Sequence, residues 1–297
     1  MSFKIFSYSI IITLISTLSF AQKSSIIADG AKLELISNSF SFTEGPAVDS
    51  SGNVYFTDQP NNKIFKWDKE SGIEVFLEES FRSNGLYFDQ YGNLLAAADQ
   101  KNQLIKISPD KSITVLIGGF ENKRLNGPND IWVDQKGGIY FTDPFYQRDW
   151  WNHTEKEILE ERVYYYTPSD NKLVVVARDL IKPNGIIGSA DGNTLFIADI
   201  GDQKTYSYLI NDNGTLSNQT LFAEMGSDGM TLDNEGNLYL TGNGVTVFNS
   251  EGEQIEHIKV PEGWTANVTF GGPEQDILFI TAMKSLYTIK MKVNGIR

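Results

Sequence analysis

Apolar and polar positions recur along the chain in one fixed phrase. Residues 49–58 show it first: an acidic residue, a Gly-Asn pair, an alternating apolar run and a closing Thr-Asp. Further copies, the last of them degenerate, occupy residues 89–99, 134–143, 189–199, 233–242 and 272–281. The Gly-Asn pair is expected to supply the positive-φ residues of a tight hairpin turn, and the alternating run predicts a half-buried strand. The repeated unit is therefore a β-hairpin.

The spacing of the repeats predicts the fold. The turn glycines of the first five copies lie 40, 45, 55 and 44 residues apart, which is the length of one four-stranded propeller blade. We therefore predict an all-β fold, a six-bladed β-propeller with four-stranded blades. Residues 31–37 form an alternating strand without a nearby partner, so we expect this N-terminal strand to close the last blade beside residues 286–293. Helical structure is indicated only at residues 151–162, within an insertion in the third repeat.

The first 21 residues have the pattern of a secretory signal peptide. A lysine near the start is followed by an apolar stretch over residues 10–20 and by the small residue Ala21. A membrane anchor is the alternative, but the apolar run is short and is interrupted by Ser and Thr. We expect a signal peptide at residues 1–21, a lead-in at 22–35 and a propeller domain at 36–297. The mature protein would then be periplasmic or secreted, with no membrane contact after cleavage.

Composition narrows the possible partners. The net charge of −13, without a Lys/Arg cluster, argues against nucleic acid, because phosphate binding needs a basic surface. The chain has no cysteine and only two histidines, so neither a disulfide nor a zinc or copper site of the usual nitrogen and sulfur kind is expected. Oxygen ligands are plentiful, which favours calcium or magnesium. A small molecule remains as the expected partner, and no oligomeric state is predicted.

A second feature recurs between the hairpins: a short Gly-containing loop before the strand that should line the central channel. Each loop carries a carboxylate or an amide, at residues 43–46, 83–86, 126–130, 182–185 and 227–230. A single Asn-Gly or Asp-Gly pair is typical of an ordinary turn, but five such loops on different blades are expected to converge at one mouth. Glu44, Asn129, Asn184 and Asp228 would then offer two carboxylates and two amide oxygens, which suits one divalent cation, Ca²⁺ above all.

These loops, in this order, resemble the regucalcin/gluconolactonase family, six-bladed calcium-dependent lactonases related to the diisopropyl-fluorophosphatase type of phosphotriesterase. The resemblance covers about residues 36–292 and is carried by the motifs at residues 42–46, 125–130, 140–144, 182–185 and 227–230. It implies that Glu44, Asn184 and Asp228 ligate the metal and that Asn129 contacts metal or substrate. The family's arginine just before that asparagine has no counterpart, since Arg124 lies five residues upstream of Asn129.

The resemblance implies a calcium-dependent hydrolase of small lactones, a carboxylic ester hydrolase of the gluconolactonase type, and the leader adds the expectation that it is exported. Calcium would polarise the ring carbonyl, and Asp228 could serve as general base for the attacking water or as nucleophile. Two alternatives remain: a phosphotriesterase-type hydrolase, and a non-catalytic propeller that binds a ligand through its face. Ser-His-Asp chemistry is not expected, because the sequence contains no Gly-x-Ser-x-Gly motif.

Three further residues are expected near the substrate. Asn84 and Asp199 lie at related positions of the second and fourth repeats, and His153 lies in the insertion at residues 150–162. This insertion either forms a lid over the mouth or packs on the propeller rim. The aromatic residues of the repeated hairpins are predicted to pack between blades. Three acids that end the second strand of their hairpins are predicted to cap turns or to bind neighbouring backbone amides: Asp58, Asp143 and Asp199. Asp199 could also reach the channel.

Overall fold

The computed structural model describes residues 26–296 and consists almost entirely of β-strands. Within that range, 24 strands form six four-stranded antiparallel sheets. The predicted all-β, six-bladed propeller is confirmed. The predicted signal peptide, residues 1–21, lies outside the described residues, and the division between lead-in and propeller domain stays a prediction. No helix in the described part of the chain is long and apolar enough to cross a membrane.

Each of the first five blades is built from four consecutive strands, ordered from the channel outwards. Blade 1 contains β2 (Thr43–Val48), β3 (Val54–Asp58), β4 (Lys63–Asp68) and β5 (Gly72–Leu77). Blade 2 contains β6 (Ser83–Phe88), β7 (Leu94–Ala98), β8 (Gln103–Ile107) and β9 (Ile113–Ile117). Blade 3 contains β10 (Ile131–Val133), β11 (Ile139–Asp143), β12 (Glu161–Thr167) and β13 (Lys172–Leu180). Blade 4 contains β14 (Pro183–Gly188), β15 (Thr194–Asp199), β16 (Lys204–Ile210) and β17 (Leu216–Ala223), and blade 5 contains β18 (Met230–Leu232), β19 (Leu238–Gly242), β20 (Gly244–Phe248) and β21 (Gln254–Ile258).

The first and the last strands of the described residues share blade 6. This blade contains β22 (Asn267–Gly271), β23 (Ile277–Ala282), β24 (Ser285–Lys290) and, outermost, β1 (Glu34–Ser37). β1 pairs with β24 in antiparallel register, with Leu35 opposite Tyr287. Upstream of β1, Ile26 is buried in the hydrophobic cluster shared by blades 5 and 6. The predicted closure of the last blade by an N-terminal strand is confirmed.

The repeated Gly-Asn turn is built by residues with separate roles. Gly52 has a φ of +89°, and the equivalent glycines of the next four blades also lie in the left-handed region. Asp49, which opens the phrase, accepts hydrogen bonds from the Ser51 and Asn53 amides at 2.9 Å. The Asn53 side chain donates to the other oxygen of Asp49 at 2.8 Å. The expectation that both residues of the pair adopt positive φ is wrong for the asparagine, which instead stabilises the turn through its side chain.

The hydrophobic core lies between neighbouring blades. Phe56 of blade 1 is fully buried, and its ring centroid lies 5.8 Å from that of Phe279 in blade 6. Tyr140 of blade 3 is also fully buried, and its hydroxyl donates a hydrogen bond of 2.8 Å to the Gly214 carbonyl of blade 4. The prediction that the aromatic residues of the hairpins pack between blades is therefore confirmed.

The connection between β11 and β12 carries the insertion of the third repeat. The prediction of a helix at residues 151–162 is wrong, because the segment forms turns and bends and its last two residues begin β12. Its apolar side chains do not form one helical stripe: Trp151 and Ile158 are buried in different surroundings, whereas Leu159 is 81% exposed. Tertiary contacts therefore decide the conformation of this segment rather than helical periodicity.

Candidate active site

The polar residues predicted to converge stand where the innermost strands begin. Because the blades repeat the same strand order, the N-terminal ends of their inner strands meet at one mouth of the propeller. The pairing registers of β2, β6 and β14 shift at Glu44, Asn84 and Asn184. Asn129 and Asp228 stand two residues before β10 and β18. A bulge releases a side chain from strict strand alternation, so these residues can face the channel mouth.

The glycines that follow Glu44 and Asn84 let the next blade approach closely. A Cβ atom on Gly45 would lie 2.2 Å from the carbonyl oxygen of Asn84, and one on Gly85 would lie 2.4 Å from that of Asn129. The Gly85 amide also donates to the Asn129 carbonyl at 2.7 Å. These glycines are thus required by backbone contacts between blades. The same contacts set the position of the polar residue that the next blade contributes.

Threonines on the second strands fix the same backbone. The Thr57 hydroxyl of blade 1 donates to the Asn84 carbonyl of blade 2 at 3.1 Å. The Thr142 hydroxyl of blade 3 donates to the Asn184 carbonyl of blade 4 at 2.8 Å. These hydrogen bonds are buried, where an unpaired carbonyl would be costly. The backbones that carry Asn84 and Asn184 are therefore held by the preceding blade.

Glu44 and Asp228 are buried acids that interact across the mouth, with exposed fractions of 4% and 9%. Burial raises the pKa of Glu44 well above its ordinary value, and the charges of Asp228 and Asp130 raise it further. Burial also raises the pKa of Asp228, to about 6, although the hydrogen bond from Trp264 opposes this rise. Two carboxylates held together away from water repel each other unless a cation compensates their charge.

Two aromatic side chains orient these polar groups. The Trp264 indole N–H donates to Oδ2 of Asp228 at 2.6 Å. The side-chain nitrogen of Asn184 donates to the Tyr146 hydroxyl at 3.0 Å, and the Asn184 side chain also hydrogen-bonds to Asp228. We call Glu44, Asn129, Asn184 and Asp228 the ligand cluster.

The ligand cluster fits a hard divalent cation. Its two carboxylates and two amides are each at most 9% exposed, and oxygen donors of these kinds are those that Ca²⁺ prefers. Within residues 26–296, no group of three or more His, Cys, Asp or Glu side chains is arranged to hold a metal. Amide oxygens would therefore have to complete the set. A cation beside Glu44 and Asp228 would also relieve the repulsion that raises the pKa of Glu44.

Asp99 differs from the other acids that end second strands. Asp58, Asp143 and Asp199 each accept hydrogen bonds from backbone amides of the loop that leads into their own blade. Asp99 instead accepts hydrogen bonds from Arg148 at 2.8 Å and from the Gln59 side chain at 3.0 Å. Burial raises the pKa of Asp99 to about 6, with the Arg148 charge opposing the rise. The turn-capping role predicted for Asp58, Asp143 and Asp199 is thus observed, and Asp99 makes different contacts.

A cavity of about 270 Å³ follows the propeller axis on the other side of Asp130. Apolar side chains of the inner strands, including Leu86, Ile186 and Met230, line most of it. Asp130 lies in its wall and has a pKa raised by burial to about 7. None of the four residues of the ligand cluster lines this cavity. The polar chemistry therefore lies at the mouth, and the axial cavity is a separate, mainly apolar space.

Comparison with known proteins identifies the family. Residues 42–284 match the model of the "SMP-30/Gluconolactonase/LRE-like region". The chain belongs to this family. The gluconolactonase of Zymomonas mobilis is 27% identical over 293 residues, covering 89% of this chain and 82% of the relative. The solved structure of a gluconolactonase from Xanthomonas campestris has a TM-score of 0.83 at 27% identity and covers 90% of this chain and 91% of its own. The diisopropyl-fluorophosphatase of Loligo vulgaris is 24% identical over 269 residues, covering 80% of this chain and 84% of the relative.

Not every predicted site residue of this SMP-30/gluconolactonase-like chain joins the ligand cluster. Asn84 is 3% exposed, and its carbonyl takes part in the contacts between blades described above. The Asp199 carboxylate accepts hydrogen bonds from four backbone amides of its own blade. His153 stacks on Trp151 with ring centroids 4.7 Å apart, and burial and the Arg124 charge lower its pKa. Asp199 therefore contacts the backbone of its own blade, and His153 contacts another residue of the insertion.

Other residues at the mouth were not predicted from the sequence. Asp130, Arg148 and Trp264 all act on the pKa of Glu44 or Asp228, and Tyr146 binds Asn184. Asp130 directly follows Asn129 in the motif at residues 125–130, so the sequence could have indicated that Asp130 lies near the mouth. Arg148 and Trp264 lie in irregular connections of this SMP-30/gluconolactonase-like chain, where no repeat or periodicity indicates which side chain reaches the mouth.

Proposed function

We propose that the protein is an exported, calcium-dependent hydrolase of small lactones, a carboxylic ester hydrolase of the gluconolactonase type. The observation that carries this proposal is the buried pairing of Glu44 with Asp228, beside Asn184, at the mouth of a propeller of this family. Two acids held close together out of water are costly in a structural role, whereas a metal-dependent hydrolase needs them.

Glu44, Asn129, Asn184 and Asp228 would hold the cation. When bound, a divalent cation supplies a Lewis acid for the lactone carbonyl and lowers the pKa of water. The four residues come from blades 1, 3, 4 and 5, so the site depends on the complete ring. Backbone contacts between blades hold them in position before substrate arrives, and this preorganisation favours catalysis.

Asp228 is the residue we assign to proton transfer. The hydrogen bond from Trp264 to Oδ2 orients this carboxylate, which would accept the proton of the attacking water. A nucleophilic Asp228, attacking the carbonyl carbon itself, is the alternative role.

The remaining parts of the proposal concern location and partners. The leader at residues 1–21 supports export to the periplasm or beyond, with no membrane contact after cleavage. The substrate would be a small-molecule lactone or ester, and the acidic composition does not favour nucleic acid. A phosphotriesterase-type hydrolase is the second candidate, favoured by the similarity to the squid diisopropyl-fluorophosphatase. A non-catalytic ligand-binding propeller is the third.

The test is hydrolysis of D-glucono-1,5-lactone by the mature protein, measured as acid release above the spontaneous rate. We expect activity with calcium, loss of activity after chelation and its return when calcium is restored. Asp228→Ala should reduce kcat by about 100-fold or more, as removal of a general base does. Asp212→Ala changes a fully exposed acid and is the matched control.

Each alternative has its own result in this test. The phosphotriesterase hypothesis would be favoured if the protein bound calcium and hydrolysed a phosphotriester such as paraoxon but no lactone. Absence of any calcium-dependent hydrolysis would favour the binding propeller. A nucleophilic Asp228 would attack the lactone carbonyl and form a mixed anhydride while the ring oxygen leaves as an alcohol. Detection of this anhydride on Asp228 by mass spectrometry of the quenched enzyme would show that Asp228 is the nucleophile rather than the general base.

A further inference from the structure

Three cations border the mouth of this acidic protein. Arg82 and Lys182 each stand two residues before an inner-strand asparagine, Asn84 or Asn184, and Arg148 lies in the β11–β12 connection. The chain as a whole has 25 basic and 38 acidic residues. Three positive charges close together at the mouth therefore contrast with the net negative charge of the chain.

Two aromatic rings separate the three cations. Lys182 Nζ lies 4.6 Å from the centroid of the Tyr146 ring. The Arg148 guanidinium lies 5.4 Å from Tyr146 on one side and 5.5 Å from Trp150 on the other. The Arg82 guanidinium lies 4.6 Å from Trp150. These distances are those of cation–π contacts. We call the five residues Lys182, Tyr146, Arg148, Trp150 and Arg82 the cation ladder.

The cation ladder is directly connected to the ligand cluster. The Tyr146 hydroxyl accepts the hydrogen bond from Asn184. The positive charge of Arg148 also lowers the pKa of both Glu44 and Asp228. A small molecule whose reacting carbonyl lies at the ligand cluster would therefore have its other groups within reach of the ladder.

The positive charges of the ladder are only partly compensated. Arg148 pairs through Nε with Asp99 at 2.8 Å, while Arg82 donates to the Pro60 carbonyl. Within residues 26–296, Asp99 is the only carboxylate within 4.0 Å of a ladder cation, so three cations face one acid. Aromatic faces attract cations but do not neutralise them. Within the described residues, Arg82 and Lys182 thus have no carboxylate within ion-pair distance.

The backbone at Arg82 is strained as well. Phe81 and Arg82 have φ values of +54° and +49°, a region that residues other than glycine adopt at a cost. The Arg82 amide is held there by the side-chain oxygen of Asn62 at 2.7 Å. Strain of this kind persists where the surrounding structure imposes it and often marks a functional position.

We propose that the cation ladder is a subsite for an anionic substituent, and that the preferred substrates are lactones that carry a carboxylate or phosphate group away from the ring ester. This inference rests on the proposed lactonase function. Guanidinium groups bind carboxylate and phosphate oxygens through charge-assisted hydrogen bonds. Arg82 and Lys182 lie at the two ends of the ladder, and neither has a carboxylate within 4.0 Å in the described part of the chain.

The test compares three substrates: neutral D-glucono-1,5-lactone, D-glucaro-1,4-lactone with a free carboxylate, and 6-phospho-D-glucono-1,5-lactone. The readout is the ratio of kcat/KM for each anionic lactone to that for the neutral one. We expect at least one ratio to fall about tenfold or more in the Arg82→Gln/Lys182→Gln variant, as loss of charge-assisted hydrogen bonds predicts. The larger change identifies carboxylate or phosphate as the preferred group.

Two controls keep the outcome decisive. Lys111→Gln removes a cation that also lies over an aromatic ring, 5.0 Å from Phe76, and should leave the ratio unchanged. In the unmodified protein, raising the ionic strength should lower the ratio, because salt screens exposed charges. This second measurement holds even where the double variant folds poorly.

The results separate the two proposals. Hydrolysis of the neutral lactone with ratios that neither the double variant nor salt alters would overturn the subsite and leave the lactonase standing. Failure to hydrolyse any anionic lactone, with the neutral one cleaved, would also overturn it. Absence of hydrolysis of all three lactones would overturn the proposed function itself.

Discussion

At the scale of single residues, the site depends on a few hydrogen bonds that position charged groups. Trp264 is the clearest case, because its indole N–H holds one oxygen of Asp228 at 2.6 Å and lowers the pKa of that carboxyl. The same carboxylate is the one we assign to proton transfer. Trp264 would then act as a positioning residue, through the orientation and pKa of Asp228.

Replacement of Trp264 by Phe tests this role, since Phe keeps an aromatic ring but cannot donate the hydrogen bond. We expect kcat to fall several-fold and the acidic limb of the pH profile of kcat/KM to move up by about 1 pH unit, because a carboxylate that loses a charge-assisted donor is protonated more easily. Trp67→Phe, in the core cluster of blades 1 and 6, is the control. A lower kcat with an unshifted profile would indicate a packing role alone.

Residues differ in how far the sequence predicts their place. Glu44, Asn184 and Asp228 stand beside glycines in loops that recur with the blades, so their convergence follows once the repeat is recognised. Arg148 reaches the mouth from a connection whose shape is set by buried contacts such as the hydrogen bond from Trp151 to the Asp99 carbonyl at 2.8 Å. Such contacts join residues far apart in the chain and leave no local pattern.

At the scale of elements, the inner strands are built around close approaches of neighbouring backbones. The pairs Gly45 with Asn84, and Gly85 with Asn129, link the polar residues of successive blades. The hairpins were predictable because a glycine in the left-handed region and an alternating strand are local features. The contact role of the loop glycines was not, because Asn-Gly and Asp-Gly pairs also occur in ordinary turns.

Gly85→Ala tests the importance of these contacts. Its Cβ would lie 2.4 Å from the Asn129 carbonyl oxygen, so the backbone of blade 3 has to shift. We expect a loss of about 2 kcal/mol or more in the free energy of unfolding, as overpacking against backbone causes, and weaker calcium binding by isothermal titration calorimetry. Gly118→Ala is the control, because its nearest neighbour would lie 3.8 Å away. Unchanged calcium affinity would contradict the link between this contact and the ligand cluster.

At the scale of the whole molecule, burial of acids makes stability depend on pH and on cations. Burial raises the pKa of Asp99 and Asp228 to about 6 and that of Asp130 and Asp143 to about 7. In the unfolded chain these groups titrate near their ordinary value of 3.8. Between pH 5.5 and 7.5 the folded state therefore binds more protons than the unfolded state, and stability falls as pH rises through this range.

The metal-free protein should show this dependence directly. We expect its free energy of unfolding, from urea titrations after chelation, to fall by at least about 1 kcal/mol between pH 5.5 and 7.5. Calcium should restore stability more strongly at pH 7.5, because its carboxylate ligands must be deprotonated. An Asp143→Asn variant, which removes one of the titrating acids outside the ligand cluster, should show a smaller pH dependence. Stability that rises with pH in the absence of calcium would contradict the assignment.

The closure of blade 6 has a consequence for how the chain could be rearranged. Leu35 pairs with Tyr287 across most of the chain, and the Lys292 amide donates to the Ile26 carbonyl at 2.8 Å. The two ends of the described residues are therefore neighbours in space. A short peptide could join them, and new ends could be opened in a surface loop between outer strands without dividing an inner strand. The ring of blades then does not depend on where the chain begins and ends. Circularly permuted forms should therefore assemble the same mouth.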